Sequence, residues 1–352
     1  MTSTKTVRDV AQLAKVSIGT VSRVYNNHTN VTGDVRQRVL QAAADLGYPG
    51  PGNRGIAAQA STRTLRDIAF LYSPVNEGSS ATTNPFWSHI LAGVEREAER
   101  ANLRLSYRAV DTLRRTPDQL LTAVYDLRAS GLLIVGPISD EALRTIQTTK
   151  LPLVVVESYT PRLGVDAVAC DSFEGARQAV EYLISQGHCN IAYLSGPQDL
   201  TVPQRQKLYT QERRAEGYRT ALREAGLAVD SAVVEASNLT AEGGYEACKR
   251  LLDRKQVFSA VFCANDMAAI GAIKALREAG RSVPDDVSIV GFDDVDMAEH
   301  LTPPLTTMHV PKEAIGAAAV QRLQTRAAEP NAVWSTTLID VSLVVRQSVR
   351  HF

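Results

Sequence analysis

Short apolar runs alternate with amphipathic segments of helical length from Ile68 onward. A first series of runs comprises DIAFLYS, LRLSYRAV, GLLIVGP and LPLVVVE, and a second comprises NIAYLSG, AVVEAS, AVFCAND and VSIVGFDD. Such alternation predicts parallel strands covered by helices on both faces of each sheet. Because the series occurs twice, and because 352 residues suit two or three domains, we expect two α/β lobes.

Three short amphipathic segments precede this region. Thr6 and Asp9 resemble a capping box at the start of the first segment. Ser17 can cap the second segment and Thr32 the third, because their hydroxyls can accept from unpaired helix N–H groups. A second helix that starts so soon after the first predicts a helix-turn-helix headpiece, whose second helix enters the major groove of DNA. The alternative is a small helical subdomain with a solvated basic face.

The net charge of zero hides an asymmetry along the chain. Residues 1–66 hold nine Lys and Arg against three Asp, a charge of +6, so the remaining residues carry −6. A basic N-terminal segment followed by an acidic remainder indicates that the N-terminal segment binds a polyanion.

Polar side chains follow several of the predicted strands, at the edge where parallel sheets bind ligands. They are Ser73, Glu157, Asn265 with Asp266, and Asp293 with Asp294, and Arg214 is expected to open a helix. Hydroxyl, amide, carboxylate and guanidinium groups together suit a ligand with many hydroxyls. Phe86 and Trp87 can supply an apolar face for a sugar ring. The alternative for each lone Asp or Asn is that it caps the following helix.

Several classes of function are disfavoured. The sequence has no HExxH, GxSxG or P-loop motif, and its six histidines show no ligand spacing, so we expect neither an enzyme nor a cofactor. The DDVD stretch lacks the glycine and terminal glutamate of an EF-hand, so we expect no metal. The sequence contains no apolar run of about 18 residues, so we expect no membrane span. Its N-terminus does not look like a secretion signal. The four scattered cysteines fit a reducing cytosol.

The N-terminal stretch TVRDVAQLAKVSIGTVSRVYNN, followed by VTGDVRQRVLQAAADLGY, resembles the headpiece of the LacI/GalR family of bacterial transcription regulators. The body resembles the same family through DSFEGARQAVEYLISQGHCNIAYLSGP, RRAEGYRTAL and VPDDVSIVGFDDVDMAEHLTPPLTTM, so the resemblance covers essentially the full chain. It implies an α/β body with the two-lobed core of periplasmic sugar-binding proteins. The implied boundaries are a headpiece at 1–49, a hinge at 50–66, an N-terminal lobe at 67–171 with 309–338, and a C-terminal lobe at 172–308 with 339–352.

The resemblance and the residue chemistry together give two sets of candidate site residues. The DNA-binding set is Thr6, Ser17, Ile18, Gly19, Thr20, Ser22, Arg23, Asn26, Asn30, Thr32, Arg36, Ala57 and Ala60. The effector-binding set is Ser73, Phe86, Trp87, Glu157, Arg214, Asn265 and Asp293. In the family, a hinge leucine wedges into the minor groove and kinks the operator, and here Ala60 stands at that position.

The expected function is that of a cytoplasmic, nucleoid-associated repressor of a carbohydrate-uptake or catabolic operon. Its expected partners are double-stranded palindromic operator DNA, a sugar-like effector in the interlobe cleft, and a second copy of the chain in a homodimer or a tetramer. A non-sugar metabolite, a protein partner and a co-repressor ligand remain alternatives. Within the reading helix, Ile18 offers only apolar contact and Gly19 offers no side chain. Hydrogen-bonded base readout therefore falls mainly to Arg23, with Thr20 assisting.

Overall fold

The computed structural model describes residues 6–25, 31–46, 48, 65–74, 80–110, 116–160, 162–197 and 208–351. The helices are α1 (Val7–Leu13), α2 (Ile18–Tyr25), α3 (Gly33–Leu46), α4 (Trp87–Arg100), α5 (Pro117–Asp126), α6 (Asp140–Gln147), α7 (Ser172–Ser185), α8 (Tyr209–Glu224), α9 (Ala241–Asp253), α10 (Asp266–Glu278) and α11 (Lys312–Ala328). The strands are β1 (Asp67–Tyr72), β2 (Arg104–Ala109), β3 (Gly131–Val135), β4 (Leu153–Val156), β5 (Asp166–Cys170), β6 (Ile191–Ser195), β7 (Val234–Ala236), β8 (Ala260–Cys263), β9 (Ser288–Val290), β10 (Thr307–His309), β11 (Thr336–Ile339) and β12 (Ser342–Val344).

The headpiece is built from α1, α2 and α3. The Thr6 N–H donates to the Asp9 carboxylate at 2.6 Å, so this part of the expected capping box forms at the start of α1. The Ser17 hydroxyl accepts from the Thr20 N–H at 3.0 Å and caps α2. The inward faces of the three helices bury a small apolar core that includes Val10, Val21 and Val39. The predicted helix-turn-helix is confirmed.

The first lobe is a parallel sheet with strand order β11-β5-β4-β3-β1-β2. Alternate side chains along a strand point to opposite faces. Ile68, Phe70 and Leu133 therefore pack with α4 and α11 on one face, whereas Ala69 and Leu132 pack with α5 and α6 on the other. Both faces of the sheet are covered, as the near-continuous apolar runs predict.

Helices α4 and α11 approach each other at backbone distance. A Cβ atom at Gly93 would overlap the main-chain oxygen of Glu313, and one at Gly316 would overlap the main-chain oxygen of Ile90. Only glycine permits this contact at the two positions. The pair therefore forms a tightly fitted layer over the first lobe.

The second lobe is a parallel sheet with strand order β7-β6-β8-β9. Helices α9 and α10 cover one face and α7 and α8 cover the other. After β9, strand β10 pairs antiparallel with β12. Strand β11, which lies between them in sequence, pairs with β5 of the first lobe. The predicted two-lobed α/β core is confirmed. Among the described residues, no helix is long and apolar enough to cross a membrane.

Candidate functional site

The exposed face of α2 carries the residues predicted to read DNA. Ile18 is 46% exposed, and Gly19 and Arg23 are exposed as well. Thr20 is half-buried, and its hydroxyl lies 2.9 Å from the Ser17 hydroxyl. A Cβ atom at Gly19 would meet only the Ser17 hydroxyl, at 3.7 Å, so a side chain at this position has room.

Other residues of the predicted DNA-binding set surround α2. Thr6 and Thr32 are exposed directly before α1 and α3, and Ser22 is half-buried on α2. Arg36 donates from Nη1 to the main-chain oxygen of Val24 at 3.3 Å, so its guanidinium also supports the C-terminal end of α2. Four predicted residues lie outside the described part of the chain: Asn26, Asn30, Ala57 and Ala60.

The centre of the interlobe site is Arg214, whose side chain is only 3% exposed. Its Nη2 donates to the Asp293 carboxylate at 3.3 Å and its Nε donates to the Ser172 hydroxyl at 3.4 Å. Its Nη1 donates to the main-chain oxygen of Ala264. The guanidinium carbon lies 3.8 Å from the centre of the Phe292 ring, a cation–π contact. These contacts fix the guanidinium in one orientation.

Each lobe places a buried carboxylate close enough to this guanidinium for its charge to act on that carboxylate. Glu157 follows β4 and is 6% exposed, and its Oε1 accepts from the Cys170 N–H at 2.7 Å. Burial raises the pKa of Glu157 to about 7, although the Cys170 N–H and the charge of Arg214 oppose this rise. Asp293 is 5% exposed, and burial raises its pKa to about 6 against the opposing charges of Arg214 and Lys312. Both carboxylates therefore change charge close to neutral pH.

Asn265 caps the helix that follows it, which is the alternative stated above for a lone strand-end Asp or Asn. Its Oδ1 accepts from the Ala268 N–H at 2.9 Å and caps α10, while its Nδ2 donates to the main-chain oxygen of Leu239 at 3.0 Å. A second acceptor lone pair and a second donor hydrogen of the amide are left over, so capping and effector contact are compatible.

Ser73, Phe86 and Trp87 form a separate part of the predicted set. Ser73 is fully buried directly after β1, and its N–H donates to the main-chain oxygen of Val135 at 2.8 Å. Phe86 and Trp87 lie at the start of α4 with ring centres 4.9 Å apart, in edge-on contact. The ring of Trp87 also lies 5.7 Å from that of Tyr72 at the end of β1. The structure thus groups Glu157, Arg214 and Asp293 tightly, with these aromatic residues at the end of another strand.

Several residues that contribute to the site were not predicted from the sequence. Ser172 and Phe292 contact Arg214 directly, and both are adjacent in sequence to strand-end acids, a signal that would have found them. The rings of Tyr159 and Tyr209 lie 5.2 Å apart and join the two lobes. Helix α8 begins at Tyr209, so Arg214 lies in its second turn and does not open it as expected.

The cluster suits neutral polar ligands. A guanidinium donates hydrogen bonds and carboxylates accept them, so sugar hydroxyls can satisfy both kinds of group. Among the described residues there is no group of three or more His, Cys, Asp or Glu side chains that could hold a metal ion.

A helix-turn-helix headpiece joined to a two-lobed α/β body, with charged side chains converging between the lobes, defines a ligand-responsive DNA-binding regulator. Residues 6–49 match the bacterial regulatory proteins of the lacI family, and residues 180–349 match the periplasmic binding protein-like domain. The ribose operon repressor of Haemophilus influenzae is 31% identical over 344 residues, which cover 98% of both chains.

Solved structures give the same result. The transcriptional regulator CelR in complex with cellobiose matches with a TM-score of 0.73 and 30% identity, over 98% of this chain and 100% of that chain. The lac repressor dimer bound to operator and the anti-inducer ONPF matches with a TM-score of 0.68 and 27% identity, over 98% and 99%. The chain belongs to the LacI family of bacterial transcriptional regulators, as its resemblance predicted. It is therefore a DNA-binding regulator and not an enzyme.

Proposed function

We propose that the protein represses an operon for carbohydrate uptake or catabolism and leaves its near-palindromic operator when a small sugar-like effector enters the interlobe cleft. The observation that carries this proposal is that carboxylates from different lobes connect to the single guanidinium of Arg214, Asp293 by a direct hydrogen bond and Glu157 through Cys170 and Ser172. An effector whose hydroxyls bond to these groups would change the contacts that set the angle between the lobes.

The relatives support each half of the proposal. One is a repressor of a ribose operon, one was solved with cellobiose, and one is a dimer bound to its operator. We infer from them a homodimer whose two headpieces contact the two half-sites of the operator. The basic head would neutralise phosphates, so operator affinity should fall steeply with salt.

The remaining assignments are part of the same proposal. We assign the headpiece to 1–49, the hinge to 50–66, and the two lobes to 67–171 with 309–338 and 172–308 with 339–352. Both predicted site sets are kept, with Arg23 as the main base-reading side chain and Ile18 as an apolar contact. The cytoplasm, at the nucleoid, is where such a regulator would act.

The experiment starts with a binding selection from random duplex DNA to define the operator. A thermal-shift screen of pentoses, hexoses and disaccharides then finds ligands, and each ligand is tested for release of that operator. Asp293→Ala should keep operator affinity and lose the ligand response. Asp285→Ala, a matched change at an exposed carboxylate just before β9, should respond normally. Release that persists in Asp293→Ala would contradict the effector assignment.

The alternatives appear as distinct outcomes of the same screen. Nucleosides and other non-sugar metabolites form a second panel, and a hit confined to that panel would replace the sugar. A ligand that tightens operator binding would make the protein a co-repressor-dependent regulator. A response that requires cell extract protein would point to a protein partner.

A further inference from the structure

The turn that carries Asp293 has an unusual backbone. Asp293 has φ of +115° and Asp294 has φ of +52°, and both lie in the region that favours glycine. Residues held there are strained and persist only where surrounding contacts hold them. The Asp293 N–H donates to the main-chain oxygen of Met308 at 2.9 Å, which holds one side of the turn.

Lys312 holds the other side of the turn. It is the first residue of α11, and its side chain is buried. Its ammonium donates to the main-chain oxygens of Asp293 at 2.6 Å and of Asp294 at 3.0 Å. Burying an ammonium is costly unless hydrogen bonds satisfy it, and two carbonyls from consecutive residues converge on this one.

Three other ionisable residues at the turn contact its side chains. Arg214 contacts the Asp293 carboxylate, while His309 and Arg346 contact the Asp294 carboxylate at 2.9 and 2.8 Å. Asp266 also bonds to the main chain, where its carboxylate accepts from the Val295 N–H at 2.9 Å. Lys312 differs from all of these because it donates to the main-chain oxygens of Asp293 and Asp294 themselves and thereby opposes rotation of the turn.

Lys312 also links the turn to the first lobe. Helix α11, which begins at Lys312, packs on β3, β4 and β5 and fits against α4 through Gly93 and Gly316. A displacement of the Asp293 main chain therefore acts, through Lys312, on the N-terminal end of α11, which packs closely in the first lobe.

We propose that Lys312 is a positioning residue for the effector site. It fixes the turn that aims the Asp293 carboxylate at Arg214 and transmits displacement of that turn to the α4–α11 layer. The positioning role is independent of the effector's identity, whereas the transmission role rests on the proposed function.

The first test is hydrogen–deuterium exchange of the full-length protein, with a peptide spanning 291–297 as the reporter. Lys312→Met keeps an unbranched side chain of similar length and removes the donors, and should speed exchange of the Asp293 and Val295 amides about tenfold. Lys312→Gln, which keeps an uncharged NH2 donor group, should fall between wild type and Lys312→Met. Lys274→Met changes an exposed lysine on α10 and should leave this peptide unchanged.

A peptide spanning 131–135, in the buried strand β3, reports global folding in the same samples. Unchanged exchange at 291–297 in both Lys312 variants would overturn the positioning role. If the amides of peptide 131–135 exchange faster in Lys312→Met than in wild type, that variant is not properly folded, and the test then rests on Lys312→Gln. Wild-type exchange of peptide 291–297 in Lys312→Gln would then overturn the proposal.

The second test uses a ligand that releases wild-type protein from its operator. In Lys312→Gln, the ratio of operator affinity without ligand to that with ligand should fall toward one, while affinity without ligand stays within about twofold of wild type. An unchanged ratio would refute transmission through Lys312. If no ligand releases wild-type protein, the proposed function fails, and so does transmission, while the exchange result still decides the positioning role.

Discussion

Arg214→Met should make the stability of the protein strongly dependent on pH. The substitution removes the guanidinium that faces the buried Glu157 and Asp293, whereas the methionine can still pack against the Phe292 ring. In the wild-type protein the pKa values of these carboxyls are about 7 and about 6, and Arg214 holds both of them down. Without it, both pKa values should rise to roughly 8 or higher, because full burial without a nearby cation raises the pKa of a carboxyl by about 3–5 units.

The magnitude follows from proton linkage. An acid whose pKa is raised in the folded state contributes stability below its unfolded pKa and loses that contribution as pH rises through the folded pKa. The loss stops near pH 7 for Glu157 and near pH 6 for Asp293 in wild type, but continues past pH 8 in the variant. Each proton that the folded state retains costs about 1.4 kcal/mol of unfolding free energy per pH unit. Between the wild-type pKa and pH 8, the variant therefore loses about 1.4 kcal/mol more than wild type at Glu157, over about one pH unit, and about 2.7 kcal/mol more at Asp293, over about two. Together these amount to roughly 4 kcal/mol.

Urea unfolding at pH 5 and pH 8 measures this difference. The deficit of Arg214→Met relative to wild type should be roughly 4 kcal/mol larger at pH 8 than at pH 5. Arg213→Met is the matched control, because its guanidinium stacks on the ring of Phe173 at 4.6 Å and lies one residue away. Its deficit should be the same at both pH values. An equal deficit for Arg214→Met at pH 5 and pH 8 would refute a shared counter-ion.

Further predictions concern the headpiece, the first lobe and a second buried acid. Arg23→Ala should abolish specific operator binding with ligand-induced thermal shifts unchanged, and wild-type affinity in a gel-shift titration would contradict the assignment of α2. Gly19→Gln should sharpen base preference at one operator position in a binding selection; an unaltered profile would mean that α2 docks differently. Gly316→Ala should cost about 1–3 kcal/mol in urea unfolding because its Cβ overlaps the facing helix, whereas Gly33→Ala, with nothing within 4 Å, should cost far less. Burial raises the pKa of Asp266 to about 8, so its contribution to stability is lost as pH rises from about 4 to 8. Asp266→Asn should therefore gain stability relative to wild type from pH 5 to pH 8, by roughly 4 kcal/mol, and a constant difference would refute the shift.

The sequence carried enough information to predict the architecture. The alternation of apolar runs predicted both parallel sheets, because strand burial depends on local patterns of side chains. Ser17 marked the start of the reading helix for the same local reason, since its hydroxyl caps the helix that begins at the next residue. The family resemblance, and not periodicity, singled out Asp293 among the polar strand-end residues and Arg214 among the polar residues of the helices.

The partners of the site residues could not be predicted in this way. Asp266 bonds to the Thr307 hydroxyl at 2.5 Å, 41 residues along the chain, and nothing in local sequence specifies that pairing. The contacts of Lys312 with the main chain of Asp293 and Asp294 likewise depend on how the second lobe lies against the start of α11, which local sequence does not specify. Capping by Asn265 was foreseen as an alternative, but only the three-dimensional position of Leu239 shows where the rest of its amide is used.

The open space at Gly19 has a consequence for how this regulator can diverge. A Cβ atom there meets only the Ser17 hydroxyl, at 3.7 Å, so many side chains can be introduced without disturbing the packing of the headpiece. After a gene duplication, one copy could gain a new base contact in a single substitution and begin to occupy different promoters. Its effector response would be inherited unchanged, because the groups around Arg214 lie in the body and not in the headpiece.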